Sequence, residues 1–121
     1  MKRRHYRIIE AKAGDVDRVV PLFLGYLKFY KQVTDTRRAR QFIAERLDRG
    51  ESKVFLATLD DKPVGFVQLY PTFASLAMKR SWVQYDLFVK PSARKHGVAK
   101  ALMERARQLA VETGAEGLIL E

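Results

Sequence analysis

A strand that runs into a basic, glycine-containing turn and then into a long helix is the feature that most constrains this chain. Residues 85–89 form an apolar strand pattern, and Arg94-Lys95-His96 precede Gly97 at the start of a helical pattern that reaches about Thr113. The first N–H groups of a helix have no partner inside the helix and carry partial positive charge. Because glycine lacks a Cβ, Gly97 lets an anion approach the backbone closely. The stretch therefore predicts an anion site, which we interpret as a pyrophosphate site.

Length and composition favour one small domain over residues 1–121. The chain has 121 residues, of which 47% are hydrophobic, as in ordinary globular proteins. It has no cysteine, which excludes disulfides, thiolate catalysis and cysteine-based metal sites. No apolar run approaches the roughly 20 residues that span a bilayer, and no signal-peptide core follows the basic residues 1–5. We expect a cytoplasmic protein with no metal and no membrane partner.

The net charge indicates an anionic partner without identifying it. The chain carries 23 Lys and Arg against 14 Asp and Glu, a formal charge of +9. Such a surplus favours nucleic acid, a membrane surface or a phosphorylated cofactor. No recognition-helix or RNA-binding signature accompanies the charge. With no membrane partner expected and nucleic acid disfavoured, a phosphorylated cofactor is the favoured partner.

The hydrophobic periodicities predict eight elements in the order β-α-α-β-β-β-α-β. They are a strand at 6–11, a helix from 16 to about 31, a helix from 36 to 50, strands at 53–59, 64–70 and 82–89, a helix from 98 to about 113, and a strand that begins at 117. Pro21 lies inside the first helix, which it either delays or kinks, and Gly25 weakens the same helix. Residues 71–81 are too long for a tight turn, so we expect a connection that either lines a substrate pocket or is a plain surface loop.

The strand at 82–89 is expected to be central in its sheet. Strict alternation gives it two faces, one with Val83, Tyr85, Leu87 and Val89 and the other with Trp82, Gln84, Asp86 and Phe88. Both faces carry large apolar groups, so both should be covered. Gly65 in the preceding strand indicates a bulge or close packing.

These residues carry a family resemblance. Arg94-Lys95-His96-Gly97-Val98-Ala99 matches the Arg/Gln-x-x-Gly-x-Gly/Ala signature of the GCN5-related N-acetyltransferases (the GNAT superfamily). The preceding Asp86-Leu87-Phe88-Val89-Lys90-Pro91 is similar to the strand that leads into that family's acetyl-CoA turn, and the element order is the same. The resemblance implies an α+β (α/β) fold with a mixed, mainly antiparallel central sheet flanked by helices. It also implies an enzyme that transfers an acetyl group from acetyl-CoA to a primary amine by direct attack.

The resemblance assigns the donor side of the site to the strand and the turn. Backbone N–H groups of the turn would hold the pyrophosphate, and the strand backbone would run beside the pantetheine arm. The Leu87 N–H would polarise the thioester carbonyl. The implied cofactor-binding residues are Leu87, Phe88, Val89, Arg94, Lys95, His96, Gly97, Val98, Ala99 and Lys100.

The general base is left open by the sequence. Family members that carry one on this strand place it two or four residues before the leucine, which here means Tyr85 and Val83. A phenol, with an ordinary pKa of about 10, is a weak base near neutral pH, so Tyr85 either hydrogen-bonds the amine or simply lines the cleft. Asp86 is structural, or reaches the substrate if a bulge shifts the register. His96 is expected to contact the anion rather than to act as a base.

The acceptor side is implied by the resemblance alone. In this family it is built from the first two helices, the segment after the hairpin and the central strands, and the aromatic residues there are Tyr26, Tyr30, Tyr70, Phe73 and Tyr85. Such rings either hold an amine through cation–π contacts or pack in the core. A small-molecule amine is favoured over a protein amine.

The family normally continues beyond the last strand with a helix, a closing pair of strands and a tyrosine that protonates the leaving thiolate. This sequence ends at Glu121, so we expect a domain without that segment: a fragment, a naturally short chain, or one completed by a partner subunit. An exposed apolar edge would favour a homodimer, with shared or exchanged elements. A non-catalytic acyl-CoA-binding or regulatory module is the alternative to an enzyme.

Overall fold

The computed structural model describes residues 6–121 and contains one five-stranded sheet with helices on both faces; the basic residues 1–5 lie outside the described range. The strands are β1 (Tyr6–Glu10), β2 (Lys53–Leu59), β3 (Lys62–Ala74), β4 (Lys79–Val89) and β5 (Leu118–Leu120), and the helices are α1 (Val16–Phe29), α2 (Thr36–Asp48) and α3 (Val98–Glu112). The strands follow one another across the sheet in chain order. β1 to β4 are antiparallel neighbours, and β5 runs parallel to β4. The predicted order and fold class are confirmed.

The sheet separates two hydrophobic layers. On one face, α3 packs Leu102 and Ala106 against β-strand residues that include Phe55 and Val67. On the other face, α1 and α2 pack against a second set that includes Leu56 and Phe66. Consecutive residues of β2 are therefore buried on alternate faces. This explains why that strand is an almost continuous apolar run.

Helix α1 is one helix in spite of its two unfavourable residues. Pro21 lies inside Val16–Phe29 and neither delays nor divides the helix. Gly25 has a packing reason, because a Cβ placed there would lie 2.8 Å from the Phe88 ring. The glycine thus lets α1 approach β4 closely.

The expected connection at 71–81 is wrong. β3 and β4 continue as paired strands through most of it, with Tyr70 to Ala74 opposite Val83 to Lys79, and only residues 75–78 form a turn. Pro71 is tolerated because the pairing with β2 ends at Leu69. Beyond that point β3 is an edge strand, where a proline removes no ladder hydrogen bond on its free side.

The predicted alternation of β4 is also wrong, because a bulge interrupts it. Gln68 of β3 pairs with Asp86 and the next residue, Leu69, pairs with Gln84, so Tyr85 is the extra residue. Trp82 consequently joins Leu87 on the α3 face, although strict alternation separates them. The bulge changes which side chains of β4 face α1.

Gly65 shows both features that its position indicates. The register of β2 and β3 shifts next to it, and a Cβ at Gly65 would lie 3.1 Å from the Phe88 carbonyl oxygen and 3.3 Å from Leu102. The first of these neighbours is a backbone atom, and the second belongs to a packed core side chain. They have little room to move away.

We expect Gly65→Ala to lower the free energy of unfolding by about 1–3 kcal/mol, since overpacking of this kind strains the core. Urea denaturation monitored by the fluorescence of Trp82 measures it. Gly117→Ala is the matched control, because a Cβ there meets nothing within 4 Å. Equal stability of the two variants would contradict the packing role of Gly65.

Candidate active site

The turn between β4 and α3 has the backbone geometry of an anion site. Lys95 and Gly97 both adopt left-handed conformations, with φ of 70° and 76°. Left-handed residues in such turns are typical of concave runs of N–H groups that bind anions. The first bond of α3 runs from the Ala101 N–H to the Gly97 carbonyl oxygen, at 3.0 Å. The N–H groups of residues 98–100 therefore have no partner within the helix.

The surroundings of the turn are open and basic. Val98 is buried in the core and anchors the start of α3, while Arg94, Lys95 and Lys100 are exposed. A cavity of about 160 Å³ lies along the turn, and its lining includes Gly97 and Ala99. A Cβ at Gly97 would meet nothing within 4 Å, so space for a ligand exists directly over its Cα.

His96 is placed differently from its neighbours in the turn. It does not line the cavity along the turn, and its ring centroid lies 6.5 Å from that of Tyr6 on β1. The predicted contact of its side chain with the anion therefore depends on a movement of that side chain.

The outer edge of β4 is open beside this turn. β5 pairs with β4 only from Trp82 to Gln84. Lys90 donates its N–H to the Val64 carbonyl oxygen at 2.8 Å. Since backbone groups alternate in direction along an antiparallel pair, the N–H and C=O of Leu87 and Val89 face away from β3, toward the open edge.

A cavity of about 240 Å³ joins this edge to the turn and to the end of α1. Eight residues line it: Tyr26, Phe29, Tyr30, Leu87, Phe88, Val89, Arg94 and Ala99. The structure thus brings together predicted residues from the strand, the turn and the first helix.

Arg94 fixes the corner where the edge meets the turn. Its Nε donates to the Val89 carbonyl oxygen at 3.0 Å. Its guanidinium carbon lies 5.9 Å from the ring centroids of both Phe29 and Phe88, within cation–π range. The side chain therefore connects α1 to β4 and is not simply a free cation for the ligand.

Four of the five predicted acceptor-site aromatics lie in two adjacent ring pairs. The Tyr26 and Tyr30 centroids are 5.0 Å apart, and those of Tyr70 and Tyr85 are 5.6 Å apart. Tyr85 is 53% exposed. Phe73 does not join them: it is 70% exposed near the tip of the β3–β4 hairpin, where Arg80 lies 5.6 Å over its ring.

Asp86 is the residue that the sequence left undecided and that the bulge brings into this region. It is only 4% exposed, and Gln68, which is fully buried, donates its Nε2 to the carboxylate at 2.6 Å. The Tyr26 hydroxyl lies close enough to the same carboxylate to affect its acidity. Asp86 is the one buried carboxylate in the part of the chain that the structure describes.

The environment of Asp86 changes its acidity and that of its neighbours. Burial raises the pKa of Asp86, and the hydrogen bonds from Gln68 and Tyr26 oppose this rise. Burial also raises the pKa of Tyr26 well above its usual value, and the hydrogen bond to Asp86 adds to the increase. Burial is also the main cause of the raised pKa of Tyr70, and the nearby charge of Asp86 is the second cause.

Residues 6–121 contain neither a cluster of metal-ligating side chains nor a membrane-spanning helix. No three or more His, Asp or Glu side chains there gather closely enough to hold a metal ion. No helix in this range combines the length and the apolar content needed to cross a bilayer.

Asp86→Asn should stabilise the protein increasingly as pH rises. The raised pKa means that the folded state disfavours the charged carboxylate. The free energy of unfolding of the wild type, compared with that of the variant, is therefore highest below pH 3.8, the ordinary pKa of an aspartate. It falls as the pH rises from there through the raised pKa of Asp86. Thermal melts of both proteins between about pH 4 and pH 7 measure the difference in midpoint. A difference that stays constant over this range would contradict the assigned environment.

Comparison with known proteins supports the resemblance on which the site is interpreted. A sequence model of the Acetyltransferase (GNAT) family matches residues 19–121. An uncharacterized N-acetyltransferase of Bacillus subtilis, YhfO, is 40% identical over 114 residues, which are 94% of this chain and 76% of that protein.

Solved structures agree. The crystal structure of a probable acetyltransferase superposes with a TM-score of 0.89 at 39% identity, and the match covers 95% of this chain and 78% of that one. The aminoglycoside N-acetyltransferase AAC(6')-Iy, solved in complex with CoA, has a TM-score of 0.83 over 99% of this chain and 78% of its own, and at 17% identity this likeness concerns the fold alone. By its fold, its signature turn and its relatives, the chain belongs to the acetyltransferase (GNAT) family.

Proposed function

We propose that this protein transfers the acetyl group of acetyl-CoA to a primary amine, that of a small molecule rather than a protein. The observation that carries the proposal is the single cavity that joins the anion turn, the open edge of β4 and the aromatic end of α1. A donor held along the edge and an acceptor among the rings would meet there. Family membership supports acyl transfer to an amine as the reaction class.

The turn would hold the pyrophosphate of the donor through backbone groups. The N–H groups of residues 98–100 are free of helical partners, and the partial positive charge of the helix start adds to their attraction. Lys95 and Lys100 line the same cavity with positive charge. The open space over Gly97 provides room for a phosphate against the backbone.

The edge of β4 would hold the pantetheine arm as an added strand. Its outward N–H and C=O groups at Leu87 and Val89 have the spacing that an extended, amide-containing chain can pair with. Binding there needs Arg94 to share the Val89 carbonyl oxygen or leave it. The outward Leu87 N–H would then polarise the thioester carbonyl, as an oxyanion-stabilising donor.

The acceptor would lie among the tyrosines on the α1 side of β4. Tyr26 and Tyr30 line the shared cavity, and the Tyr70–Tyr85 pair lies on the neighbouring strands. Aromatic faces attract an ammonium group. Asp86 is the one buried carboxylate among the described residues and lies near Tyr26 and Tyr70, so a singly charged amine suits the site better than a polyamine.

A non-catalytic acyl-CoA-binding module is the alternative, because neither Tyr85 nor Val83 supplies a carboxylate or imidazole base. Release of free CoA thiol from acetyl-CoA, measured with alkylamines, an aminoglycoside and a lysine peptide, separates the two. The enzyme should release thiol only with an amine, most readily with a small one. Acetyl-CoA binding in calorimetry without thiol release for any amine would favour the module, and absence of binding would refute both.

The expected homodimer is a separate prediction. Ile119 and Leu120 of β5 expose apolar side chains, and a groove of about 590 Å³ lies between β5 and α3. A mass measurement in solution checks whether two chains associate.

Gly97→Glu should abolish acetyl-CoA binding, since it places a negative charge and a side chain where the pyrophosphate would lie. Isothermal titration measures the affinity. Gly50→Glu is the matched control: Gly50 also has a positive φ, 63°, and open space around it, but lies at the end of α2. The control carries the same backbone strain and charge change and should keep its affinity. Equal affinity of the two variants would refute the assignment of the turn.

A further inference from the structure

Attack on a thioester requires an amine with a free lone pair. An alkylamine is mostly protonated at neutral pH, since its pKa resembles the value of about 10.4 for a lysine side chain. The site must therefore take a proton from the acceptor before the new bond forms. The sequence provides no base at the expected positions of β4, so the proton needs another destination.

Asp86 is connected to the reaction cavity through Tyr26. The bulge at Tyr85 sets Asp86 on the α1 side of β4, where its carboxylate interacts with the Tyr26 hydroxyl. Tyr26 itself lines the cavity, and so does Leu87, the neighbour of Asp86 in the chain. The buried carboxylate and the Leu87 N–H thus lie on adjacent residues at one point of the site.

Hydrogen-bond direction gives Tyr26 a defined role. An ionised carboxylate only accepts hydrogen bonds, so a proton that passes between the two groups moves from the Tyr26 hydroxyl to Asp86. The lone pairs of the tyrosine oxygen then remain available to accept from an N–H in the cavity. Gln68 holds the carboxylate from the other side at 2.6 Å, and its own Oε1 has no partner among the described residues. The side-chain hydrogen bond of Gln68 in the described structure is therefore the one to Asp86.

Resting on the proposed function, we propose that Tyr26 and Asp86 form a proton relay for a cationic alkylamine acceptor. Tyr26 touches the ammonium group and is the catalytic residue. Asp86 acts through it and is the positioning residue and final proton acceptor. Gln68 keeps the carboxylate in place.

The step balances. One N–H bond of the ammonium breaks as its proton moves to the Tyr26 oxygen, while the tyrosine proton moves to the Asp86 carboxylate. The freed lone pair forms the C–N bond at the thioester carbonyl, and the C–S bond breaks. A second amine proton goes to the departing thiolate, which yields the amide and the CoA thiol. Asp86 then releases its proton to solvent.

The surroundings suit a carboxylate that accepts a proton. Burial raises the pKa of Asp86, which makes the carboxylate a stronger base than an exposed one. The titratable or charged groups that face this cluster are Tyr30 from α1, Arg46 from α2, Tyr70 from β3 and Tyr85 from β4. Arg46 is the one cation among them, and it acts on Tyr70 rather than on Asp86.

The test uses Asp86→Asn, Tyr26→Phe and the double variant, with Asp61→Asn at the exposed β2–β3 turn as the matched control. Thiol release gives kcat/KM for ethylamine, and calorimetry gives the affinity for acetyl-CoA. Each single variant should lose about 100-fold or more in kcat/KM, in the range of acid–base catalysis. Acetyl-CoA affinity should not change, and the double variant should be no worse than either single one. The control should retain wild-type activity.

A second amine distinguishes a relay from a structural role. Trifluoroethylamine is similar in size to ethylamine but is largely neutral at the assay pH, so it needs no relay. The loss in each variant should be much smaller with this amine, and the low-pH limb of the wild-type profile should disappear in Asp86→Asn.

The relay is overturned if either single variant binds acetyl-CoA and keeps the wild-type kcat/KM for ethylamine. It is also overturned if the losses in kcat/KM of the two single variants multiply in the double variant, or if the loss is equal for ethylamine and trifluoroethylamine. A wild-type protein that binds acetyl-CoA but acetylates no amine overturns the proposed function as well.

Discussion

The half-paired outer edge of β4 is the constraint on which the rest of the site depends. β3 covers the inner edge along its whole length, whereas β5 covers the outer edge only from Trp82 to Gln84. Backbone N–H and C=O groups need partners. The N–H and C=O of Leu87 and the N–H of Val89 face an open cavity instead, while the Val89 carbonyl oxygen accepts from Arg94. The anion turn follows directly at the end of this edge. A ligand with a phosphate at one end and an amide-bearing arm at the other fits that sequence of groups.

The bulge at Tyr85 determines which side chains of β4 share a face. Without the extra residue, Asp86 and Trp82 would share a face of β4. With it, the carboxylate is buried beside Tyr26 and Gln68, where its charge is disfavoured by desolvation. Groups that cost stability in this way are concentrated at functional sites. The buried Asp86 is therefore the kind of carboxylate that the proposed relay requires.

The sequence predicted the features that depend on local pattern. Element order and the glycine turn follow from periodicity and from single residues such as Gly97. The expected central position of β4 is wrong: both its faces are covered, but it lies next to the edge strand β5, which pairs with only part of it. Two features depend on pairing between strands and were missed. Pro71 and its neighbours have the composition of a loop, and only their pairing with β4 makes them a strand. Likewise, nothing in the sequence Gln84-Tyr85-Asp86 indicates which of the three residues is the extra residue of the bulge. Asp86 could therefore be named as a candidate but not placed.

Amide hydrogen exchange of the protein with and without CoA tests the central claim most directly. We expect slower exchange at Leu87 and Val89 on the β4 edge and at residues 98–100 of the turn, since these N–H groups would gain partners from the ligand. Amides of the exposed hairpin turn at residues 75–78 should be unchanged. Protection by CoA that left both the edge and the turn unaffected would contradict it.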